Sequence, residues 1–327
     1  MSRASLLSGS SFALAAGLMW GLVFVGPLLL PEYPAALQSF GRYLAFGLIA
    51  LPLAWLDRAA LRQLTRADWI EAAKLALVGN IVYYLFLASA IQRAGGPLPT
   101  MIIGTLPVVI AITSNLRDAQ RDGQLPWAQL APSLLLIGAG IACVNQTELA
   151  ALRAEPHTDR GRYALGALLA VGAVACWTWY PIRNADWLRA HGERNPRSWA
   201  TAQGVATLPL ALVGYALWWA FTAWRGDGFP MPLGPRPWFF AGLMLAIGLF
   251  ASWLGTMCWN EASQRLPTTL AGQLIVFETL SALAYAFALR GQWPAWTSLL
   301  GIVLLITGVA WALRGKPQPL AAEGHAG

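Results

Sequence analysis

Residues 99–126 read PTMIIGTLPVVIAITSNLRDAQRDGQLP, and residues 267–294 read PTTLAGQLIVFETLSALAYAFALRGQWP. At a constant offset of 168 residues (267 minus 99), Pro99-Thr100 falls on Pro267-Thr268 and Gly104 on Gly272. Leu106 falls on Leu274, Val108 on Val276, and Gly123-Gln124-Leu125-Pro126 on Gly291-Gln292-Trp293-Pro294. Downstream, Gly140 matches Gly308; upstream the register drifts slightly, with Trp69 and Gly79 on Trp238 and Gly248. Apolar bias alone does not write a Gly-Gln-x-Pro string twice at one spacing, so the chain repeats itself. Each string also joins two long apolar runs, and those runs decide the fold.

A helix needs about 20 mostly apolar residues to cross hydrocarbon. Ten runs qualify: 12–30, 35–56, 70–91, 97–116, 127–147, 163–188, 199–224, 238–263, 267–289 and 294–313. Lipid offers no partner to a free backbone N–H or C=O, so spans are helices or closed barrels. Runs this uniformly apolar lack the alternation of barrel strands. Composition agrees: 57% of the 327 residues are hydrophobic and 11% are charged, against roughly 25% charged in a soluble chain. A soluble globule, a disordered chain and a disulfide scaffold are excluded. The run at 12–30 is expected to stay as a first span rather than act as a cleaved signal, since no small-residue cleavage site is clear.

The net charge of +7 reads as loop charge facing anionic headgroups, not as a nucleic-acid footprint. Loops on the side of the N-terminus carry the larger share of arginines, among them Arg58, Arg62, Arg66, Arg183, Arg189, Arg194 and Arg197. The positive-inside rule then places both termini in the cytoplasm. Five runs per half is an odd number, so the second half enters the membrane from the opposite side. The expected fold is an all-α membrane protein: ten transmembrane helices as a 5+5 inverted repeat, with residues 1–150 as one repeat and 151–327 as the other. That architecture belongs to secondary transporters, which place their substrate between the halves near the midplane.

Several motifs carry a resemblance. They are Trp20-Gly21, Arg42-Tyr43, Tyr83-Tyr84 through Ala90, Trp259-Asn260-Glu261-Ala262, and the Gly140 and Gly308 ends. On these the chain resembles the drug/metabolite transporter superfamily in its EamA group, over nearly its whole length. Within the group it is most similar to the bacterial aromatic amino acid exporters of the YddG type. A Gly-Glu step common near the ends of spans four and nine in that group is replaced here by Asn115-Leu116-Arg117-Asp118 and Leu289-Arg290-Gly291-Gln292. The resemblance implies export of amino acids, aromatic or hydrophobic, across a bacterial inner membrane by alternating access. The alternative is a multidrug or small-metabolite exporter of the same architecture.

The residues themselves nominate a site. Glu278 lies midway along span nine, where an acidic group costs roughly 2.5–3.5 kcal/mol to insert and so faces a wet interior or a partner. It is read as a contact to a substrate ammonium or a proton site, or else as a structural partner of Arg42. Arg42, inside span two, can hold a carboxylate through its planar fork or snorkel to the headgroups. Lys74 and Glu71 are three apart and expected to pair. Asn80, Tyr83 and Tyr84 in span three, Asn260 in span eight, Gln273 in span nine, and Thr100 and Thr105 in span four add a polar interior, or glue between helices. Trp20, Trp177, Tyr180 and Trp259 add in-span aromatics suited to an apolar ligand body. Trp55, Trp69, Trp127, Trp199, Trp224, Trp238 and Trp293 sit at span ends and read as interface belts. Pro107 and Pro181 mark expected bends.

No phosphate loop, metalloprotease helix or nucleophile elbow is present, and the three histidines fall in loops or the tail. Cys143, Cys176 and Cys258 lie in apolar runs without metal or disulfide spacing. The sequence therefore points away from an enzyme, with no catalytic residue, metal or cofactor expected. The expected partners are a small-molecule substrate, an amino acid, and the lipid bilayer, but no nucleic acid, and the expected unit is a monomer.

Overall fold

The computed structural model describes residues 3–94, 97–117, 126–146, 160–226, 228–291 and 293–314. The boundary at 150/151, Gly123-Gln124-Leu125, Gln292, His157, His325, Asp118 and the Thr100 side chain lie outside the described residues. The structure is helical, with no strand among the described residues. Among the described residues nine helical stretches are long and apolar enough to span a bilayer, and the shorter Met101–Leu116 completes span four.

Local chemistry sets the ends. Thr65 and Asp68 form a reciprocal capping box that opens span three at Arg66, with Thr65 N donating to Asp68 Oδ2 at 2.8 Å. Asn195 caps Arg197 N and Pro196 takes the first turn of span seven, where a missing N–H costs nothing. Gly291 closes span nine at φ +60°, which accounts for the glycine in its Gly-Gln-x-Pro string. Span one starts earlier than the apolar run suggested, as a helix over Arg3–Gly21.

The two halves match in their irregularities. Span three contains a π-helical stretch at Ala76–Val82 and span eight one at Gly248–Leu254. Spans four and nine are each broken near the middle, into Pro97–Ile103 plus Leu106–Leu116 and Thr268–Leu274 plus Val276–Arg290. Pro107 explains the first break, because it removes a donor and crowds the preceding turn. Paired broken spans of this kind mark the binding region of inverted-repeat carriers. Span six stays one helix, Arg160–Ala190, through Pro181, so the bend expected there does not appear as a break.

Helix neighbours follow the same symmetry. Span one packs on span eight as span six packs on span three; spans two and seven, four and nine, and five and ten pair with each other. The five–ten seam is backbone to backbone: a Cβ on Gly301 would lie 2.7 Å from the Gly140 carbonyl oxygen. Loops that ten crossings put at one end are tied together there. Arg194 donates to Gln63 Oε1 (2.9 Å) and accepts from Gln264 at the end carrying the N-terminus. At the far end Tyr33 donates to the Leu233 carbonyl and Arg236 Nε to Glu32 Oε1 (2.6 Å).

Candidate functional site

Three irregular segments converge near mid-bundle. The break in span nine starts a new helix at Val276, and Glu278 occupies its first turn, where the positive end of the helix dipole favours a carboxylate. Opposite it runs Gly17-x-x-x-Gly21 of span one. A Cβ on Gly17 would lie 2.6 Å from Phe277 Cβ and 2.9 Å from Glu278 N, and one on Gly21 2.6 Å from Ser281 Cβ. Only glycine allows span one to lie this close to the second helix of span nine.

Arg42 of span two points inward. Its Nε donates to Ser252 Oγ at 2.9 Å on the π stretch of span eight, and its guanidinium lies 4.9 Å from the Tyr43 ring centroid. It stands within electrostatic range of Glu278, Tyr83 and Tyr84. Among the described residues no direct Arg42–Glu278 ion pair forms; each charge keeps capacity for a further partner.

Beside these charges is a group of rings. Trp20 meets Trp177 edge-on at 5.7 Å and Trp259 at 5.2 Å. Trp177 stacks on Tyr83 and on Tyr180, both at 5.0 Å between centroids. The rings come from spans one, three, six and eight, so both halves contribute. Trp259 is buried, and its Nε1–H has no partner among the described residues.

The other nominated residues sit apart from the cluster. Asn260 accepts from Asn184 Nδ2 at 2.8 Å and donates to the Pro196 carbonyl. Gln273 accepts from Ser133 Oγ at 2.9 Å on the side of spans five and ten. Asn80 donates to Thr207 on span seven at 3.3 Å. These three fasten helices. Glu71 accepts from Arg183 Nε at 2.5 Å, and Lys74 is its longer contact at 3.8 Å.

Sequence reasoning missed the polar hub that supports the rings. Asn184 Oδ1 accepts from Trp199 Nε1 (2.9 Å) and Gln203 Nε2 (3.0 Å), while Gln203 Oε1 accepts from Tyr180 (2.8 Å). The available signal was a buried-type polar pair, Asn184 and Gln203, in otherwise apolar spans. Trp199 corrects an expectation: it is 1% exposed rather than interfacial, because it stacks on Trp187 at 3.4 Å.

A family model described as the EamA-like transporter family matches residues 7–145. The inner membrane protein YtfF of Escherichia coli (strain K12) is 56% identical over 320 residues, covering 97% of this chain and 98% of that one. The chain belongs to the EamA-like transporter family. An uncharacterized transporter, YwfM of Bacillus subtilis (strain 168), is 25% identical over 304 residues, 92% of each chain. A protein of known crystal structure shares the fold, with a TM-score of 0.69 at 19% identity over 95% of this chain and 97% of the other.

This EamA member is asymmetric at one pair of equivalent seams. Span one closes on the second helix of span nine through its glycines. The counterpart seam, between span six and the second helix of span four, instead holds an open cleft of about 780 Å³. Among the described residues no group of three His, Cys, Asp or Glu side chains is placed to hold a metal.

Proposed function

We propose that the protein exports amino acids, aromatic or hydrophobic ones, across the bacterial inner membrane by alternating access. One observation carries the reading: Arg42 and Glu278, which form no ion pair with each other among the described residues, both lie in electrostatic range of Tyr83, and Tyr83 stacks on Trp177 in one group of rings with Trp20, Tyr180 and Trp259. A zwitterion needs one cation and one anion within a small space, and an aromatic side chain needs ring faces and edges. Arg42 takes the carboxylate, Glu278 the ammonium, and the rings the side chain. The lone Trp259 Nε1–H is a further donor for the carboxylate. Membership of a transporter family supports transport in general, and the name of the Escherichia coli relative supports the inner membrane. Both termini lie in the cytoplasm in this reading.

Alternation follows from the repeat. The closed seam at spans one and nine and the open seam at spans six and four exchange roles when the halves exchange conformations. The deciding measurement is counterflow of labelled phenylalanine in proteoliposomes. Glu278→Gln removes a charge-assisted contact worth about 1.5–3 kcal/mol and is expected to cut uptake at least about tenfold with normal expression. Full activity in Glu278→Gln, or saturable transport of cationic dyes in place of amino acids, overturns the reading.

A further inference from the structure

Most of the open cleft's wall lies on the face of span six turned away from the ring cluster. Its walls are Ile102, Val109 and Thr113 of span four and Val171, Ala175, Thr178 and Ile182 of span six. At about 100° per residue, those span-six positions share one face, and Trp177, Tyr180 and Asn184 share the opposite face. The cleft face continues into Leu168 and Val171, which are 67% and 53% exposed. In a membrane chain, such an apolar face turns to lipid. The cleft is therefore a lateral slot between two neighbouring spans, open to the bilayer.

Its end is charged. Arg117 Nη2 donates to Asp186 Oδ2 at 2.8 Å, and Arg183 holds Glu71. The acids are withdrawn, at 6% and 9% side-chain exposure, while Arg117, Arg183 and Lys74 remain 41%, 48% and 57% exposed. The slot's end thus carries two half-exposed arginines, Arg117 and Arg183, beside a withdrawn Asp186, with Lys74 next to Glu71 beyond its lining. These charges lie where the helices leave the hydrocarbon, at the end that carries the N-terminus.

We propose that this slot binds one anionic phospholipid, with an acyl chain between spans four and six and its phosphate on Arg117 and Arg183. Basic groups at the rim of an inter-helix slot recognise lipid phosphate, and the apolar walls accept the chain. A chain lying there keeps span six from closing on the second helix of span four. The bound lipid therefore holds the conformation described here.

The test is native mass spectrometry of the full-length protein in a non-ionic detergent, with palmitoyl-oleoyl phosphatidylglycerol and the matching phosphatidylcholine as probes. The expected result is one phosphatidylglycerol retained, preferred about tenfold over phosphatidylcholine. Paired substitution of Arg117→Gln with Asp186→Asn, which leaves no buried charge behind, is expected to reduce that preference severalfold. Ala175→Trp fills the slot without touching any ion pair and is expected to abolish retention of both lipids. Equal retention of the two lipids, or retention unchanged by Ala175→Trp, overturns the proposal. So does one-for-one displacement of the lipid by phenylalanine, which would make the slot part of the substrate path.

Discussion

Asn184 shows how much one buried amide can hold. It has two donors on its oxygen and donates to Asn260, so truncation strands Trp199 Nε1, Gln203 Nε2 and Asn260 Oδ1 together. An unsatisfied buried polar group costs about 1–3 kcal/mol. Asn184→Ala is thus expected to lower the thermal unfolding midpoint clearly in detergent, and Asn80→Ala, which loses a single 3.3 Å bond, only slightly. Trp259→Phe separates packing from recognition. It keeps a ring against Trp20 and removes a donor that has no partner among the described residues, so stability should hold while phenylalanine counterflow falls. At this scale the sequence was only partly legible. Glu278 and Arg42 stand out because a charge inside an apolar run is costly wherever it points. Trp199 did not, since a tryptophan at the end of a run looks the same whether it meets headgroups or Trp187. Arg183 was read as a loop charge, because one-dimensional spacing does not reveal that spans four and six meet beside it.

Elements were read more securely than side chains. Length and hydropathy locate spans without any tertiary knowledge, and the duplicated strings reveal the repeat. The breaks within spans four and nine were less visible, since Pro107 marks one and no proline marks the other. The seam between span one and the second helix of span nine offers a test. A methyl group at Gly17 meets Phe277 Cβ and the backbone of Glu278, so it must push the helices apart. Gly17→Ala is expected to raise labelling of Ser281→Cys, at a position now 6% exposed, by a membrane-impermeant maleimide. Unchanged labelling would mean that the seam is not a closed gate.

For the whole molecule, sidedness is the first matter to check. Glu193 and Ala295 lie in turns at opposite ends of the bundle, and both are exposed. With cytoplasmic termini, Ala295→Cys should react with an impermeant maleimide in intact cells and Glu193→Cys only after lysis. The far end is also joined by Glu32 and Arg236, which tie the turn after span one to the loop after span seven. A hydrogen bond from its own backbone, then Arg236, holds the Glu32 carboxyl below its ordinary value of 4.5. A depressed carboxyl stabilises above its unfolded value and loses that contribution as pH falls through the folded one. Proteolysis of the 228–236 loop should therefore stay constant near neutrality and rise only below about pH 4.5, and Glu32→Gln should remove that acid-dependent rise.

The π-helical stretch at Ala76–Val82 has a consequence for how the site is aimed. A π turn accommodates one more residue than an α-helix of the same length. Deleting a single residue within it would let span three run on as ordinary α-helix, with its membrane length nearly unchanged. Because the wide turn absorbs its extra residue locally, everything beyond the deletion would keep nearly its present direction, and Tyr83 would still face Trp177. The same deletion made in the α-helical part of the span, such as Arg66–Leu75, would turn the tyrosines by about 100°, so the π stretch is the one place in span three where chain length can change without re-aiming the site.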